Sequence, residues 1–484
     1  MPRNEAYSGY AAMTRDEAQR SIRPIYETVI NNKRVLEMTP AHFDVLIIGS
    51  GPAGLFAAIC FESLGVGNIA IADRHPYPAG GLLNDGKLNF DHHIGIELQE
   101  LKLTEEEAVH IIDQVREIFT AFPECRQVTG STPNEKTEII RRIAQEHNVR
   151  FLAPEQWHWG TDNGKKAVEY LRGRLTKTEF LLGTDVSAIT TGEHRGFQVS
   201  CRRSGQTVSL SADYILAAPG RSGAYEFRDM ATELGVNHNF GPIDVGIRVE
   251  MNRRYFDAVN EVVYDPKFIF QTIRHGDRVR TFCTNPGGRV REENYCNFKL
   301  VNGDALATRK TENTNFALLN TLSLTEPFVD TTEFGRMIAR QFYLLGGGRP
   351  LVQRVGDFRE GRRSSLSTFD SVTRHYEVCQ ASYRAVPGDI SLGMPARILD
   401  NLWESLKTLD KIIPGILHPS TLLYAPEIKF FDTHFPTDRN LETNIEGIFV
   451  AGDGTGKSRG IVGAAISGIL AARGIARKYY NINV

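Results

Sequence analysis

The fold of this chain is decided by the stretch Val45-Leu46-Ile47-Ile48-Gly49-Ser50-Gly51-Pro52-Ala53-Gly54. Its four apolar residues before the first glycine are typical of a buried parallel strand. Gly49, Gly51 and Gly54 have the spacing G-x-G-x-x-G. The first glycine permits the tight turn, the second lets the backbone approach a pyrophosphate, and the third lets the following helix pack against the strand.

The flanking residues complete a strand–turn–helix–strand unit. Residues 55–64 are apolar and compatible with a helix, and residues 68–72 form a second apolar run that closes at Asp73. Free N–H groups and the helix dipole favour a phosphate at the start of such a helix, beside Pro52 and Ala53. Asp73 is placed to accept hydrogen bonds from ribose hydroxyls. The sequence therefore predicts an α/β, Rossmann-like dinucleotide-binding domain.

A second element near the C-terminus favours FAD over NAD. Residues 449–454 (FVAGDG) and 459–465 (RGIVGAA) resemble the second FAD element of the glutathione-reductase-like flavoproteins. This resemblance implies that Asp453 holds a ribityl hydroxyl. It also implies that the next helix directs its N-terminus at the N1/O2 edge of the flavin, where negative charge grows on reduction. Residues 212–223, a strand ending in an A-x-G-like turn, match a third element of the same flavoproteins.

Further stretches extend the resemblance. They are residues 80–88 (GGLLNDGKL), 242–250 (PIDVGIRVE), 281–283 (TFC) with 286–288 (PGG), and 424–429 (YAPEIK). Over residues 43–484 the chain resembles a bacterial type of FAD-dependent dehydrogenase family. The resemblance implies a flavin and redox chemistry, and it leaves the substrate open.

These motifs predict a discontinuous FAD-binding domain with an inserted mixed α+β substrate domain. The expected segments are an N-terminal extension (1–42), the first part of the FAD domain (43–240), the substrate domain (241–424) and the C-terminal part of the FAD domain (425–484). A short helix is expected near residues 14–30 within the extension.

The predicted cofactor is FAD. Its predicted binding residues are Gly49, Gly51, Pro52, Ala53, Gly54, Asp73, Arg74, Gly81, Leu82, Lys87, Val186, Gly220, Arg221, Gly452, Asp453, Gly460, Ile461 and Val462. The chain has no second G-x-G-x-x-G, so no separate nicotinamide domain is expected. NAD(P)H stays open as a transient electron donor, since some flavoproteins bind it without such a domain.

Four residues are candidates for catalysis on the substrate side. Glu427 and Lys429 form a potential charge pair over the flavin, with a structural salt bridge as the alternative. Cys283 is a potential thiol near the substrate, with an inert buried cysteine as the alternative, and His92 is a potential proton donor. No H-E-x-x-H or C-x-x-C spacing occurs, so no metal site is predicted.

Arg248 and Glu250 are further candidates to line the substrate cavity. A strand-surface ion pair between these two residues is the alternative interpretation.

The leading functional hypothesis is a dehydrogenase or reductase that transfers hydride between a small organic substrate and flavin N5. A flavin monooxygenase is the first alternative. Aromatic-ring hydroxylases of the related fold have a G-A-D-G-like turn, whereas residues 217–222 read AAPGRS without the aspartate. The alternative of another class is an FAD-containing RNA-modifying or RNA-binding protein.

Composition limits the remaining options. Lys and Arg number 56 against 58 Asp and Glu, and the resulting net charge of −2 argues against nucleic acid as a partner. No apolar run of membrane-spanning length and no signal-peptide core are seen. The six cysteines include no C-x-x-C pair, which favours reduced thiols and a cytoplasmic location. A small-molecule substrate is expected, and a redox partner or a homo-oligomer stays open.

Overall fold

The computed structural model describes residues 41–78, 80–130, 134–192, 196–295, 297–372, 379–430 and 433–484, without the side chains of 370–372. The helix predicted near residues 14–30 lies outside these ranges. Residues 42–484 form one compact unit.

The strands are, in chain order, β1 (Ala41–Ile48), β2 (Ile69–Asp73), β3 (Lys87–Asn89), β4 (Arg126–Thr129), β5 (Arg150–Leu152), β6 (Gln156–His158), β7 (Glu179–Leu182), β8 (Thr184–Thr191), β9 (Phe197–Arg203), β10 (Gln206–Ala217), β11 (Asn239–Phe240), β12 (Ile243–Asn252), β13 (Lys267–Gln271), β14 (Arg278–Pro286), β15 (Arg289–Tyr295), β16 (Phe298–Asp304), β17 (Asn313–Leu322), β18 (Leu351–Arg354), β19 (Val386–Pro387), β20 (Leu422–Lys429), β21 (Thr433–His434) and β22 (Ile448–Val450).

The α-helices are α1 (Pro52–Ser63), α2 (Leu98–Leu101), α3 (Glu105–Thr120), α4 (Glu135–Glu146), α5 (Gly164–Arg172), α6 (Gly220–Glu233), α7 (Asp257–Asn260), α8 (Thr331–Leu345), α9 (Val355–Arg359), α10 (Leu366–Val372), α11 (Ala396–Ile412) and α12 (Ile461–Tyr479). Short 3-10 turns cover Gly80–Leu83, Thr161–Asn163, Arg253–Tyr255, Ile390–Leu392 and Asp453–Thr455.

The first sheet confirms the predicted strand–turn–helix–strand unit. Its strand order is β7-β2-β1-β10-β9-β8, and β22 pairs with β10. β1 and β2 are parallel, with Val45 opposite Ile69 and Ile48 opposite Ala72. β22 and α12 come from the C-terminal end of the chain, so the first sheet joins segments that are distant in the sequence. The architecture is a Rossmann-like α/β fold joined to a mixed second part.

α1 begins three residues earlier than expected, at Pro52. Proline fits this position because its φ is already helical and its missing N–H would have no partner in the first turn. α1 and α12 share one hydrophobic core, which contains Phe56 and Phe61 from the first helix and Ile466 and Ile475 from the second.

The second sheet has eight strands in the order β19-β18-β20-β12-β17-β14-β13-β5. β5 comes from the segment predicted to be the first FAD part, and β20 crosses the predicted boundary between residues 424 and 425. The predicted boundaries therefore do not coincide with the sheets. β20 is buried along its whole length and pairs with both β12 and β18, whereas sequence proximity alone had grouped its second half with the last FAD element.

Pro266 marks the start of β13. α7 ends at Asn260 and β13 begins only at Lys267. Pro266 lacks the N–H that a ladder hydrogen bond requires, and it directly precedes the strand. In the ranges that the structure describes, no helix has both the length and the apolar character required to cross a bilayer.

The N-terminus of α3 gives a test of the local sequence signals. The Thr104 hydroxyl accepts from the Glu107 N–H (3.2 Å), and a Glu107 carboxylate oxygen accepts from the Thr104 N–H (2.9 Å). We expect Thr104→Ala to lower the free energy of unfolding by about 1 kcal/mol, because one N–H of the first turn loses its acceptor. Urea denaturation measures this loss. Thr120→Ala at the other end of α3 is the control, and an equal loss there would contradict the assignment.

Candidate cofactor and substrate site

One cavity of about 650 Å³ connects the two sheets, a volume within the range of ligand pockets. Its first side is lined by the glycine turn after β1, the turn after β10 and the start of α12. Its second side is lined by residues of β13, β14, β15, β16 and β20. The cavity therefore lies between the nucleotide motif and the segment predicted to hold the substrate.

The three motif glycines have the geometry that their predicted roles require. Gly49 has φ +104°, and a Cβ there would lie 2.2 Å from the carbonyl oxygen of Ala218. A Cβ on Gly54 would lie 2.0 Å from the carbonyl oxygen of Gly49, so helix and turn are in close contact. The nearest atom to a Cβ on Gly51 would be 3.7 Å away, on Gly80. The backbone at Gly51 is thus open to a ligand.

Asp73 lies in the cavity wall at the end of β2. One carboxylate oxygen accepts from the backbone N–H of Ser50 (2.9 Å) and from its hydroxyl, and the other accepts from the N–H of His75 (2.8 Å). These bonds fix the carboxylate against the glycine turn. Its predicted contact with a ribose stays a prediction.

Asp453 connects the last 3-10 turn to the start of α12. Its carboxylate accepts from the Gly460 N–H (2.9 and 3.1 Å) and from the Ser458 hydroxyl (2.9 Å). Burial raises the pKa of Asp453 above its ordinary value, and the hydrogen bonds from Gly460 and Ser458 oppose this effect. Ile461 and Val462 open α12 in the cavity wall, so the positive end of a 19-residue helix faces the cavity.

These features fit FAD. Glycine backbones without a Cβ and the N-termini of α1 and α12 suit a pyrophosphate and an electron-rich ring. The predicted site residues in the cavity wall are Gly49, Gly51, Pro52, Ala53, Asp73, Arg74, Gly81, Lys87, Val186, Gly220, Arg221, Cys283, Lys429, Gly452, Asp453, Gly460, Ile461 and Val462.

Four predicted site residues lie outside the cavity wall. Gly54 packs behind the glycine turn, as its role requires. Leu82 is fully buried in the first hydrophobic core, because the 3-10 turn directs it inward while Gly81 and Leu83 line the cavity. Glu427 is fully buried behind Lys429. His92 lies in the loop after β3 and contacts His93, with ring centroids 4.0 Å apart and the rings tilted by 35°.

A chain of buried ion pairs, here called the charge row, approaches the cavity from the second sheet. Arg248 donates two 2.7 Å hydrogen bonds to the two carboxylate oxygens of Glu427. The same carboxylate lies 2.9 Å from Lys429 Nζ. Glu293 lies 3.4 Å from Lys429 Nζ and 3.2 Å from Arg221 Nη2. The expected Glu427–Lys429 pair is therefore present as an ion pair, and a catalytic role for it stays a prediction.

The other expected pair, between Arg248 and Glu250, is absent. Arg248 donates to Glu427 instead, and Glu250 accepts from the hydroxyl of Tyr424 (2.7 Å). Neither Arg248 nor Glu250 lines the cavity. The reason is the register of β12, because Arg248 and Glu427 come from adjacent antiparallel strands whose register shifts between Gly246 and Arg248.

Glu293 is ionised in this setting. Burial opposes its charge, but Lys429, Arg221 and Arg291 outweigh burial and hold its pKa at about 2. Nothing in the sequence around Glu293 marks it as a site residue. It reaches the cavity through the hairpin of β15 and β16, which forms its own two-stranded sheet.

A second polar group, here called the lysine cluster, surrounds Lys87. Lys87 Nζ donates to the carbonyl oxygen of Thr284 (2.6 Å) and lies 3.2 Å from Asp265 and 3.3 Å from Asp85. Lys267 also pairs with Asp265 (2.6 Å). Burial disfavours the charge on Lys87, yet the neighbouring carboxylates raise its pKa above the ordinary value. Lys87 is therefore protonated.

Cys283 meets the lysine cluster at the cavity wall. It has φ +50°, an uncommon conformation for a residue other than glycine, and its Sγ lies 3.1 Å from an Asp85 oxygen. Burial and the Asp85 charge raise the pKa of the thiol, so Cys283 carries its proton at neutral pH. Asp85 lies in the motif over residues 80–88. Asp265 and Lys267 flank Pro266, and no sequence motif marks them as site residues.

His158 gives this cluster a pH dependence. It is buried, with its ring nitrogens near the Asp85 carbonyl oxygen (2.5 Å) and the Tyr264 hydroxyl (3.3 Å). Burial lowers its pKa to about 4 from 6.5. The unfolded chain therefore binds a proton at a pH where the folded chain does not, and stability falls as the pH decreases from 6.5 towards 4.

We expect His158→Gln to remove a pH-dependent contribution to stability of at most about 3 kcal/mol between these pH values. Urea denaturation at about pH 7.5 and about pH 5 measures the slope of stability against pH. His110→Gln on the exposed face of α3 should leave the slope unchanged. An unaltered slope in His158→Gln would show that other groups cause the acid sensitivity.

Comparison with known protein families agrees with this geometry. The family model described as "FAD binding domain" matches residues 42–290, and that described as "FAD-dependent protein, C-terminal domain-like" matches residues 242–429. A protein of Clostridium beijerinckii is 24% identical over 472 residues, which cover 90% of this chain and 81% of that protein.

Several solved structures align with most of this chain at low sequence identity. A mutant FrdA of the E. coli quinol fumarate reductase aligns with 92% of this chain and 72% of its own, at 13% identity and a TM-score of 0.43. A p-nitrophenol 4-monooxygenase from Pseudomonas putida aligns with 92% and 82%, at 10% identity and a TM-score of 0.37.

The first family model spans just over half of the chain and contains the glycine turn, Asp73 and Cys283. The second contains Lys429, Glu293 and the other strands that form the far wall of the cavity. This chain belongs to the FAD binding domain family and is a flavoprotein oxidoreductase with an FAD-dependent C-terminal domain.

Proposed function

We propose that this flavoprotein is a dehydrogenase or reductase that transfers hydride between a small organic substrate and N5 of FAD. The observation that supports this most is that residues of both sheets line the same cavity. A substrate bound against the second sheet would share that cavity with the cofactor held by the first. FAD supplies the hydride chemistry, while the protein binds, orients and moves protons.

Two parts of the second sheet have distinct tasks in this proposal. Lys429 is held by Glu427 and Glu293, so its charge has a fixed position in the cavity wall. Cys283 is a proton-bearing group of the lysine cluster at the cavity, and its thiol can donate to the Asp85 oxygen that lies 3.1 Å from Sγ. Protonated Lys87 stabilises negative charge that develops beside that thiol.

Anaerobic reduction tests the reaction type. NADH, NADPH and reduced ferredoxin are added in turn to the holoenzyme without oxygen, and bleaching of the flavin band is recorded. We expect one of them to reduce the flavin, because a dehydrogenase or reductase needs a hydride or electron partner besides its substrate. Once a substrate has been found, turnover under ¹⁸O₂ should leave its product unlabelled. Incorporation of labelled oxygen would instead identify a monooxygenase.

A further inference from the structure

The charge row carries more positive than negative groups. Arg248, Lys429 and Arg221 provide three cations, against the two carboxylates of Glu427 and Glu293. Each cation lies within 3.4 Å of a carboxylate oxygen, but the row as a whole has one positive charge in excess. Burial of an excess charge is unfavourable.

Two neighbouring groups do not remove this surplus. Arg291 acts on Glu293, and Asp453 acts on Arg221. Including both gives four cations and three carboxylates, so the excess of one positive charge stays.

The charge row opens to the cavity at its Arg221 end. Arg248 and Glu427 have fully buried side chains, whereas 27% of the Arg221 side chain is exposed. Arg221, Glu293 and Lys429 all line the cavity. A guanidinium has five N–H donors in a planar fork that matches a carboxylate. The open end of the row is thus suited to an anion that enters from the cavity.

Aromatic rings lie next to this end. Phe282 lines the cavity, with Lys429 Nζ 6.0 Å from its ring centroid. Tyr295 and Phe430 stack with ring centroids 3.8 Å apart, and both line the cavity. Phe430 follows Lys429 in the sequence, and Tyr295 lies two residues after Glu293. These surfaces can bury the apolar part of a ligand whose charged end is held by the row.

We propose that the substrate is an organic carboxylate, with its carboxylate bound between Lys429 and Arg221 and its apolar part against these rings. This inference rests on the proposed function and specifies its substrate class. The Arg221 guanidinium has further N–H donors that can bind the cofactor, which is the role predicted for Arg221 from the sequence.

The test uses the FAD-loaded protein and measures binding rather than turnover. Acetate, benzoate and octanoate are titrated at constant ionic strength while the flavin absorbance band is followed. Acetamide, benzamide and octanamide are the neutral counterparts of the same shape. We expect at least one carboxylate to shift the flavin band saturably and its amide to have no effect.

Variants locate the effect. Lys429→Met should weaken carboxylate binding about tenfold or more, since a charged hydrogen-bond partner is lost. Lys299→Met is the matched control, because Lys299 lies on the same hairpin as Glu293 but pairs with Glu292 at the surface. We expect Lys299→Met to bind carboxylates as tightly as the unaltered protein does.

Three results would overturn the proposal. The first is that carboxylates and amides shift the flavin band alike. The second is that no carboxylate shifts the band. The third is that Lys429→Met changes only the flavin midpoint potential and leaves carboxylate binding intact. The last result would assign the surplus charge to the reduced flavin. Anaerobic reduction of the unaltered protein reports on the proposed function separately, so failure of one is distinguishable from failure of the other.

Discussion

Replacing Gly49 with alanine is expected to yield a protein that purifies without bound FAD. A Cβ at this position would lie 2.2 Å from the Ala218 carbonyl oxygen, and the backbone has φ +104°. Both the turn after β1 and the turn after β10 would have to move, and both line the cofactor side of the cavity. Backbone strain and overpacking together predict FAD binding weaker by about a hundredfold or more.

Gly67→Ala is the matched control for Gly49→Ala. Gly67 follows α1, has no atom within 4 Å of a built Cβ, and does not adopt a positive φ. FAD content is measured from the absorbance of the released flavin relative to protein. If Gly49→Ala retained as much FAD as Gly67→Ala, the glycine turn would not be the pyrophosphate cradle.

Removing the carboxylate of Glu427 is expected to have the largest effect on stability. Glu427→Leu leaves the buried Arg248 guanidinium without the partner that receives both of its 2.7 Å hydrogen bonds. Breaking a buried pair in this way costs about 3–5 kcal/mol. The midpoint of urea unfolding, followed by flavin release and by tryptophan fluorescence, measures the loss.

A double variant tests whether the loss of stability comes from the unpaired Arg248 or from altered packing. Arg248→Met with Glu427→Leu removes both charges, and it should recover a large part of the loss, because no unpaired charge stays buried. Glu138→Leu, which removes an exposed partner of Arg141 on α4, should cost no more than about 1 kcal/mol. A double variant as unstable as Glu427→Leu alone would mean that packing, rather than the unpaired Arg248, sets the cost.

Local patterns predicted the first part of the fold well. The glycine turn and the helix α12 each depend on neighbouring residues, and local spacing determines them. The second sheet was harder to predict from local patterns. β5 is only three residues long and joins that sheet through β13, so its membership depends on pairing across more than 100 residues.

The candidate site follows the same division. Residues contributed by the glycine turn and by α12 were predicted, because each motif carries its own physical reason. The charge row was predicted only as far as Glu427 and Lys429, which share one face of β20. Arg248 joins the charge row through the register of β12 with β20, and Glu293 joins it through the separate hairpin of β15 and β16. No spacing in the sequence predicts these contacts.

The visible absorbance spectrum of the purified protein, with and without added FAD, decides whether this chain binds FAD. We predict flavin bands and stoichiometric FAD, either as purified or after reconstitution, because the glycine turn, Asp73 and the start of α12 all line the cavity between the two sheets. A folded protein that stays colourless after incubation with FAD and desalting would contradict it.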